Sequence, residues 1–186
     1  RMLLPDPMRG LLPGCRVKAR ITEVRETCLA ACIDELIRAV IPKEETSWKY
    51  QAGHPYPVPL QSLFSIGREV EAVVTAVDRG EKEVALSIKA LRPDPCLSCR
   101  EGDVVDLTVL EVMKKGELLV EWEEYIGSMM KYHAFYQKDI RLLYQPGEKL
   151  QGKILKVNLV DRRVFITAKY LYEDPFTNLS FQSGDT

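Results

Sequence analysis

The side chains best suited to chemistry in this 186-residue chain are aromatic rings interleaved with cations. One stretch, SWKYQAGHPY, supplies Trp48, Lys49, Tyr50, His54 and Tyr56, with Lys43 just ahead. A second, KYHAFYQKDIR, supplies Lys131, Tyr132, His133, Phe135, Tyr136, Lys138 and Arg141. Rings stack on unpaired bases while ammonium and guanidinium groups meet phosphates, so the mixture points to single-stranded nucleic acid. The same rings can instead fold back and plug the end of a β-barrel, and both readings stand at this point. Lys114 with Lys115, and Arg162 with Arg163, fall in two further turns. There they can flank the same groove or simply keep the turns soluble.

Other chemistries find less support. His54 and His133 occupy separate stretches, with no nucleophile motif beside either, and no glycine loop followed by Lys-Ser/Thr is present to cradle phosphates. The run EWEE (121–124) offers paired carboxylates, but it reads better as a solvated strand that discourages edge pairing. Cys96 and Cys99 form a lone C-x-x-C where a zinc site needs about four ligands. Cys28 and Cys32, at even spacing, read as small core residues. No catalytic set, metal site or cofactor is expected. Five cysteines, an odd number without secretory features, suit reduced thiols inside a cell. No apolar run approaches the roughly 20 residues that span a bilayer, and residues 1–12 are broken by Pro5 and Pro7, so no membrane association is expected.

The elements that must position these groups are written as a repeat. FSIGREVEAVVTAVDRGEKEVALSIKALRPDP (64–95) lies over YQPGEKLQGKILKVNLVDRRVFITAKYLYEDP (144–175) at a constant offset of 80 residues. Gly67 meets Gly147, Val74 meets Ile154, Val84 meets Val164 and Lys89 meets Lys169. The front halves match at an offset of 88, with Gly14 on Gly102 and Val17 on Val105. The first copy is longer around GHPYPVPLQ, a loop in which three prolines remove backbone donors. Val17, Ala19 and Ile21 alternate with Lys18, Arg20 and Thr22, the period of a half-buried strand. RGEK (79–82) and VDRR (160–163) separate strand-like runs as hairpin turns, strand five being placed at 84–88 and 164–168. Trp122 reads as a core or barrel-rim residue, and residues 131–143 as a short helix. Three strands, an irregular connection and a hairpin make an all-β chain of two tandem five-stranded barrels. They are placed at 12–92, with a long connection between strands three and four, and at 100–171. Residues 1–11 and 172–186 are terminal extensions, and 92–100 is a proline-stiffened linker. Charge is balanced within each copy, 12 basic against 11 acidic side chains in 12–92 and again in 99–171, so any polyanion must be met by local patches.

The opening Gly-x-x-Val (Gly14, Val17; Gly102, Val105), the glycine before strand four and the closing run from Val77 to Lys89 resemble the S1 RNA-binding motif. That family is built on the OB fold, and the two copies resemble the repeats of the small-subunit ribosomal protein S1. AVIP before Lys43 and VEWEEYIG after Gly116 look most like its early repeats, which in the family dock on the ribosome and on proteins more than they grip messenger RNA. Strongly RNA-binding members carry a Phe on strand two and a His at the end of strand three. The matching positions here are taken as Ala30 and Leu118, and as Pro42 and Met130. The resemblance therefore implies a non-enzymatic RNA-binding module of a ribosome or other large ribonucleoprotein, acting in translation, with weak, low-specificity affinity for single-stranded RNA. It implies a soluble intracellular protein, in the cytoplasm or an organelle such as the plastid stroma. The alternative is a protein-docking adaptor in a ribosomal, transcription or RNA-processing complex. The expected RNA contacts are Lys43, Trp48, Lys49, Tyr50, Lys114, Lys115, Lys131, Tyr132, His133, Tyr136, Arg162 and Arg163.

Overall fold

A computed structural model of the chain describes residues 6–130 and 144–168. Strands β1 (Arg16–Val24), β2 (Cys28–Ile33), β3 (Ile37–Pro42), β4 (Glu69–Asp78) and β5 (Glu83–Ser87) close into one barrel. Strands β6 (Val104–Val112), β7 (Leu118–Trp122), β8 (Tyr125–Met129), β9 (Lys149–Asn158) and β10 (Arg163–Thr167) close into a second. Within each, β3–β5 and β8–β10 pair in parallel and the other neighbours antiparallel. This is the OB-type barrel that the repeat implies. One compact unit comprises 6–51 with 55–94, the other Ala52–His54 with the described residues from Pro95 onward.

Alternation along each strand decides what goes inside. In the first barrel Ala19, Ile21, Leu29, Ala31, Ile33, Ile37, Ala39 and Ile41 are buried, while Lys18, Arg20 and Arg38 remain exposed. The second core gathers Leu107, Val109, Leu118, Val120, Trp122, Tyr125, Met129, Ile154, Val164 and Ile166. Burying one large aliphatic side chain contributes roughly 1.5–3 kcal/mol. An exposed ion pair such as Lys18–Glu69, at 3.9 Å, contributes about 0–1 kcal/mol. The apolar interiors therefore hold the barrels.

The repeat motifs are structural devices. Gly14 and Gly67 stand at φ +95° and +86°, a region that excludes most L side chains, and their N–H groups donate to Val74 and Ile21 carbonyls at 2.7 Å each. Gly102 and Gly147 make the same bonds, to Ile154 and Val109. Asp78 Oδ1 accepts the N–H groups of Gly80 and Glu81, and Asn158 Oδ1 those of Val160 and Asp161. Asn for Asp keeps the turn because either side chain supplies the same acceptor oxygen.

Several local expectations shift. Strand five lies one residue earlier than expected at both ends in both copies, at Glu83–Ser87 and Arg163–Thr167. Cys28 and Cys32 are half-buried on the outer face of β2 rather than in the core, because Leu29, Ala31 and Ile33 take the inward positions. The connection after β3 carries a 3-10 turn at Trp48–Gln51 and a helical turn at Leu60–Leu63. The helix expected over 131–143 and the extension 172–186 lie outside the described residues.

Candidate nucleic-acid interface

In OB folds, oligonucleotides lie over strands two and three and the loops beside them. Across the first barrel that outer surface carries a row of Ala30 on β2, Val40 on β3 and Ala85 on β5, aligned by the ladders. A parallel row runs Arg20, Cys32, Arg38 and Glu83. The middle of the surface is small and apolar, and arginines frame it. Among the described residues no ring stands in it.

The rings lie instead in the connection after β3, each already in contact with a cation. Lys43 Nζ sits 4.9 Å from the centre of Tyr50, Lys49 Nζ 5.5 Å from Tyr56 and Lys89 Nζ 4.8 Å from Trp48. Such contacts contribute roughly 0.5–2 kcal/mol each. Tyr50 also meets Tyr56 edge-on at 5.0 Å, donates its hydroxyl to the Val58 carbonyl at 2.6 Å and packs against the first core. Burial, with Tyr56 adding to it, pushes the Tyr50 phenol up to about 12. Lys89, the lysine of the closing motif, pairs with Glu45 at 3.1 Å while lying over Trp48, whose indole N–H donates to the Arg92 carbonyl. Within the connection the rings are thus engaged by its own lysines, by Lys89 and by backbone carbonyls, with Lys43 and Lys49 half-buried.

In the second unit, Lys114 and Lys115 are exposed in the β6–β7 turn. Arg162 and Arg163 stand at the β9–β10 turn, joined there by two residues from the long connection of the first repeat. Gly53 N–H donates to the Arg162 carbonyl at 2.7 Å, and Arg163 Nε donates to the Gly53 carbonyl at 3.1 Å. His54 is buried, with its ring edge-on to Phe165 at 6.1 Å. Burial first, and Arg163 second, hold His54 below the usual imidazole range, against Glu117 and the Val164 backbone. Lys131, Tyr132, His133 and Tyr136 lie outside the described residues.

The ladders also correct one equivalence. Glu111 pairs with Leu119, as Glu23 pairs with Ala30, so Leu119 rather than Leu118 takes the outer position on strand two. Leu118 pairs with Val112, as Leu29 does with Val24, and faces the core. The β6–β7 turn is one residue longer than its counterpart, and a one-residue slip exchanges the faces of a strand. The outer row of the second barrel is therefore Leu119, Ser128 and Phe165. Phe165 was missed although parity marks it: it lies between the inward Val164 and Ile166, 80 positions after Ala85. Among the described residues, no three His, Cys, Asp or Glu side chains gather as a metal site, and Cys99 Sγ donates to the Cys96 carbonyl at 3.6 Å.

Residues 13–89 match the S1 RNA binding domain. Small ribosomal subunit protein bS1 of Helicobacter pylori strain J99 is 25% identical over 171 residues, covering 89% of this chain and 30% of the relative. The Pseudomonas aeruginosa bS1 protein is 24% identical over 174 residues, again covering 89% of this chain and 30% of the relative. The chain thus spans under a third of the length of these relatives. The solution structure of GSP13 from Bacillus subtilis superposes with a TM-score of 0.37 at 23% identity, over 44% of this chain and 60% of that one. Residues 13–89 thus carry an S1 RNA binding domain, and the second closed barrel repeats its glycines and its closing turn.

Proposed function

We propose that this chain is a weakly binding, low-specificity module for single-stranded RNA that acts in translation as a component of, or factor on, a ribosome. The observation that carries this reading is the S1 domain over residues 13–89 within a two-repeat similarity to bS1 spanning 89% of the chain. Weak affinity follows from the Ala30, Val40 and Ala85 row, which lacks the rings whose stacking contributes roughly 1–3 kcal/mol per base. Phosphate contacts fall to Lys114, Lys115, Arg162 and Arg163 in the second repeat and to Lys43 and Lys49 at the edge of the first. Trp48 and Tyr50 then position those lysines more than they stack, and Lys131, Tyr132, His133 and Tyr136 complete the contact set. The module works without catalysis of its own, as a soluble protein of the cytoplasm or an organelle, with 12–92 and 100–171 as its folding units.

Sedimentation of a tagged chain with and without nuclease tests this. Association with ribosomal particles that nuclease weakens is expected. The same small apolar row favours a second reading, a protein-docking adaptor, because it offers a flat surface for another polypeptide. Association that survives nuclease, with no RNA binding by the purified chain, would replace the first reading with the second.

A further inference from the structure

The outer rows of the two barrels differ in what fills them. Ala30, Val40 and Ala85 are half-buried, whereas Leu119 and Ser128 are sealed, at 2% and 1% exposure. Phe165 is half-buried in that row and is met by the His54 imidazole at an interplanar angle of 89°. Gly53, beside it, comes so close to the β9–β10 turn that a Cβ there would lie 2.1 Å from the Asp161 carbonyl oxygen. Only glycine fits this approach. The segment therefore engages Phe165 by its ring and Arg163 by its carbonyl, a ring and a cation that a nucleotide would also use.

The contact is incompletely satisfied. Among the described residues, His54 Nε2 and Ser128 Oγ are both buried without a hydrogen-bond partner, which costs free energy and leaves the closed arrangement open to competition. A nucleobase is a planar heteroaromatic of similar thickness with several ring and exocyclic donors and acceptors. The backbone phosphates beside it would meet Arg163 and the exposed Lys156, which pairs with Phe165 across β9–β10. We propose that Phe165 is the base-contacting ring of the second barrel and that Ala52–His54 occupies its place in the free protein, so that single-stranded RNA and this segment compete for Phe165 and Arg163. The proposal rests on the RNA-binding reading and adds to it a site and the competitor that regulates it.

The test uses the full chain and a fluorescent 12-nucleotide oligo(U). Gly53→Ala should dislodge the segment without deleting any ring, and the imidazole resonance of His54 reports whether it has done so. If the competing contact leaves about a tenth of the molecules open, release tightens oligo(U) binding about tenfold. Adding Phe165→Leu should abolish the gain and weaken binding by roughly 5- to 150-fold, the equivalent of one lost stack. Should Gly53→Ala prevent folding, His54→Ala removes the competing ring and must give the same tightening. Unchanged or weaker binding once His54 has been released or removed overturns the competition, because His54 would then be inert or part of the platform. If His54 is released but neither the wild-type nor any variant binds oligo(U), the RNA-binding reading itself falls, and the competition with it.

Discussion

Tyr50 shows most directly what the sequence could and could not reveal at the residue scale. Its place in a cation-rich, aromatic connection was legible, but not that Lys43, Tyr56 and the Val58 carbonyl would claim its face, edge and hydroxyl. Adjacency in sequence carries no information about where a loop turns back. The geometry has a measurable consequence. The phenol is raised from about 10 to about 12, so the native state holds its proton more tightly than the unfolded chain does. The stability that this supplies is complete below pH ~10 and is lost as pH rises through the folded value. Absorbance titration should show late phenol ionisation, and Tyr50→Phe should reduce it by one tyrosine. The same substitution gives up the bond to Val58 and should cost about 1 kcal/mol in denaturant unfolding at neutral pH. Late ionisation of unchanged amplitude in the variant would assign the step to another tyrosine. Phe165 makes the complementary point: strand parity placed it outside, but the family's platform draws attention to strands two and three, and Phe165 sits on strand five.

Elements were more legible than residues because their rules are local. Period-two alternation, the repeated glycines and the Asp/Asn turns each belong to one hairpin or one strand end, and each appears where the repeat put it. What failed was register across turns. The single extra residue in the β6–β7 turn and the bulges between Ile21 and Glu23 and between Val109 and Glu111 change which face a side chain takes. A constant offset cannot see either. The glycines provide the test at this scale. No atom lies within 4 Å of a Cβ built on Gly67, so Gly67→Ala meets no steric block and pays only for its backbone at φ +86°. That strain is roughly 1–2 kcal/mol. Gly53→Ala differs in kind, since there the Cβ collides with the Asp161 carbonyl. Equilibrium unfolding should therefore show Gly67→Ala lowering stability by about 1–2 kcal/mol with an unchanged denaturant slope. A neutral Gly67→Ala would mean that the turn relaxes out of the positive-φ region, and the shared glycine would then mark descent rather than conformation.

For the whole molecule, charge decides how RNA can be held. With a formal charge of −1 and each repeat close to balance, net charge gives RNA no general attraction, so affinity on the proposed reading would come from local cations and a small number of ring contacts. Lysines 114 and 115 are exposed at one turn of the second barrel, and Arg163 is exposed at another. In the first barrel Lys18, Arg20 and Arg25 face Glu69, Glu35 and Glu23. For single strands, log affinity falls with log salt by roughly 0.7 per phosphate neutralised. A handful of contacts therefore gives a slope shallower than about −5. On the proposed reading, two weak modules on one chain would still hold a long strand, because the second contact forms at the effective concentration set by the linker. Lys114→Ala with Lys115→Ala should flatten the slope by about 1.4 and lower affinity without changing base preference, since phosphates carry no sequence information. Phe165→Leu should leave the slope unchanged and weaken binding at every salt concentration, because stacking releases no counterions. Binding to oligo(U), oligo(A) and oligo(C) across a salt series separates the two terms. A slope steeper than about −5 would require more phosphate contacts than these cations supply, and an unchanged slope in the lysine pair would move the phosphate path off the β6–β7 turn.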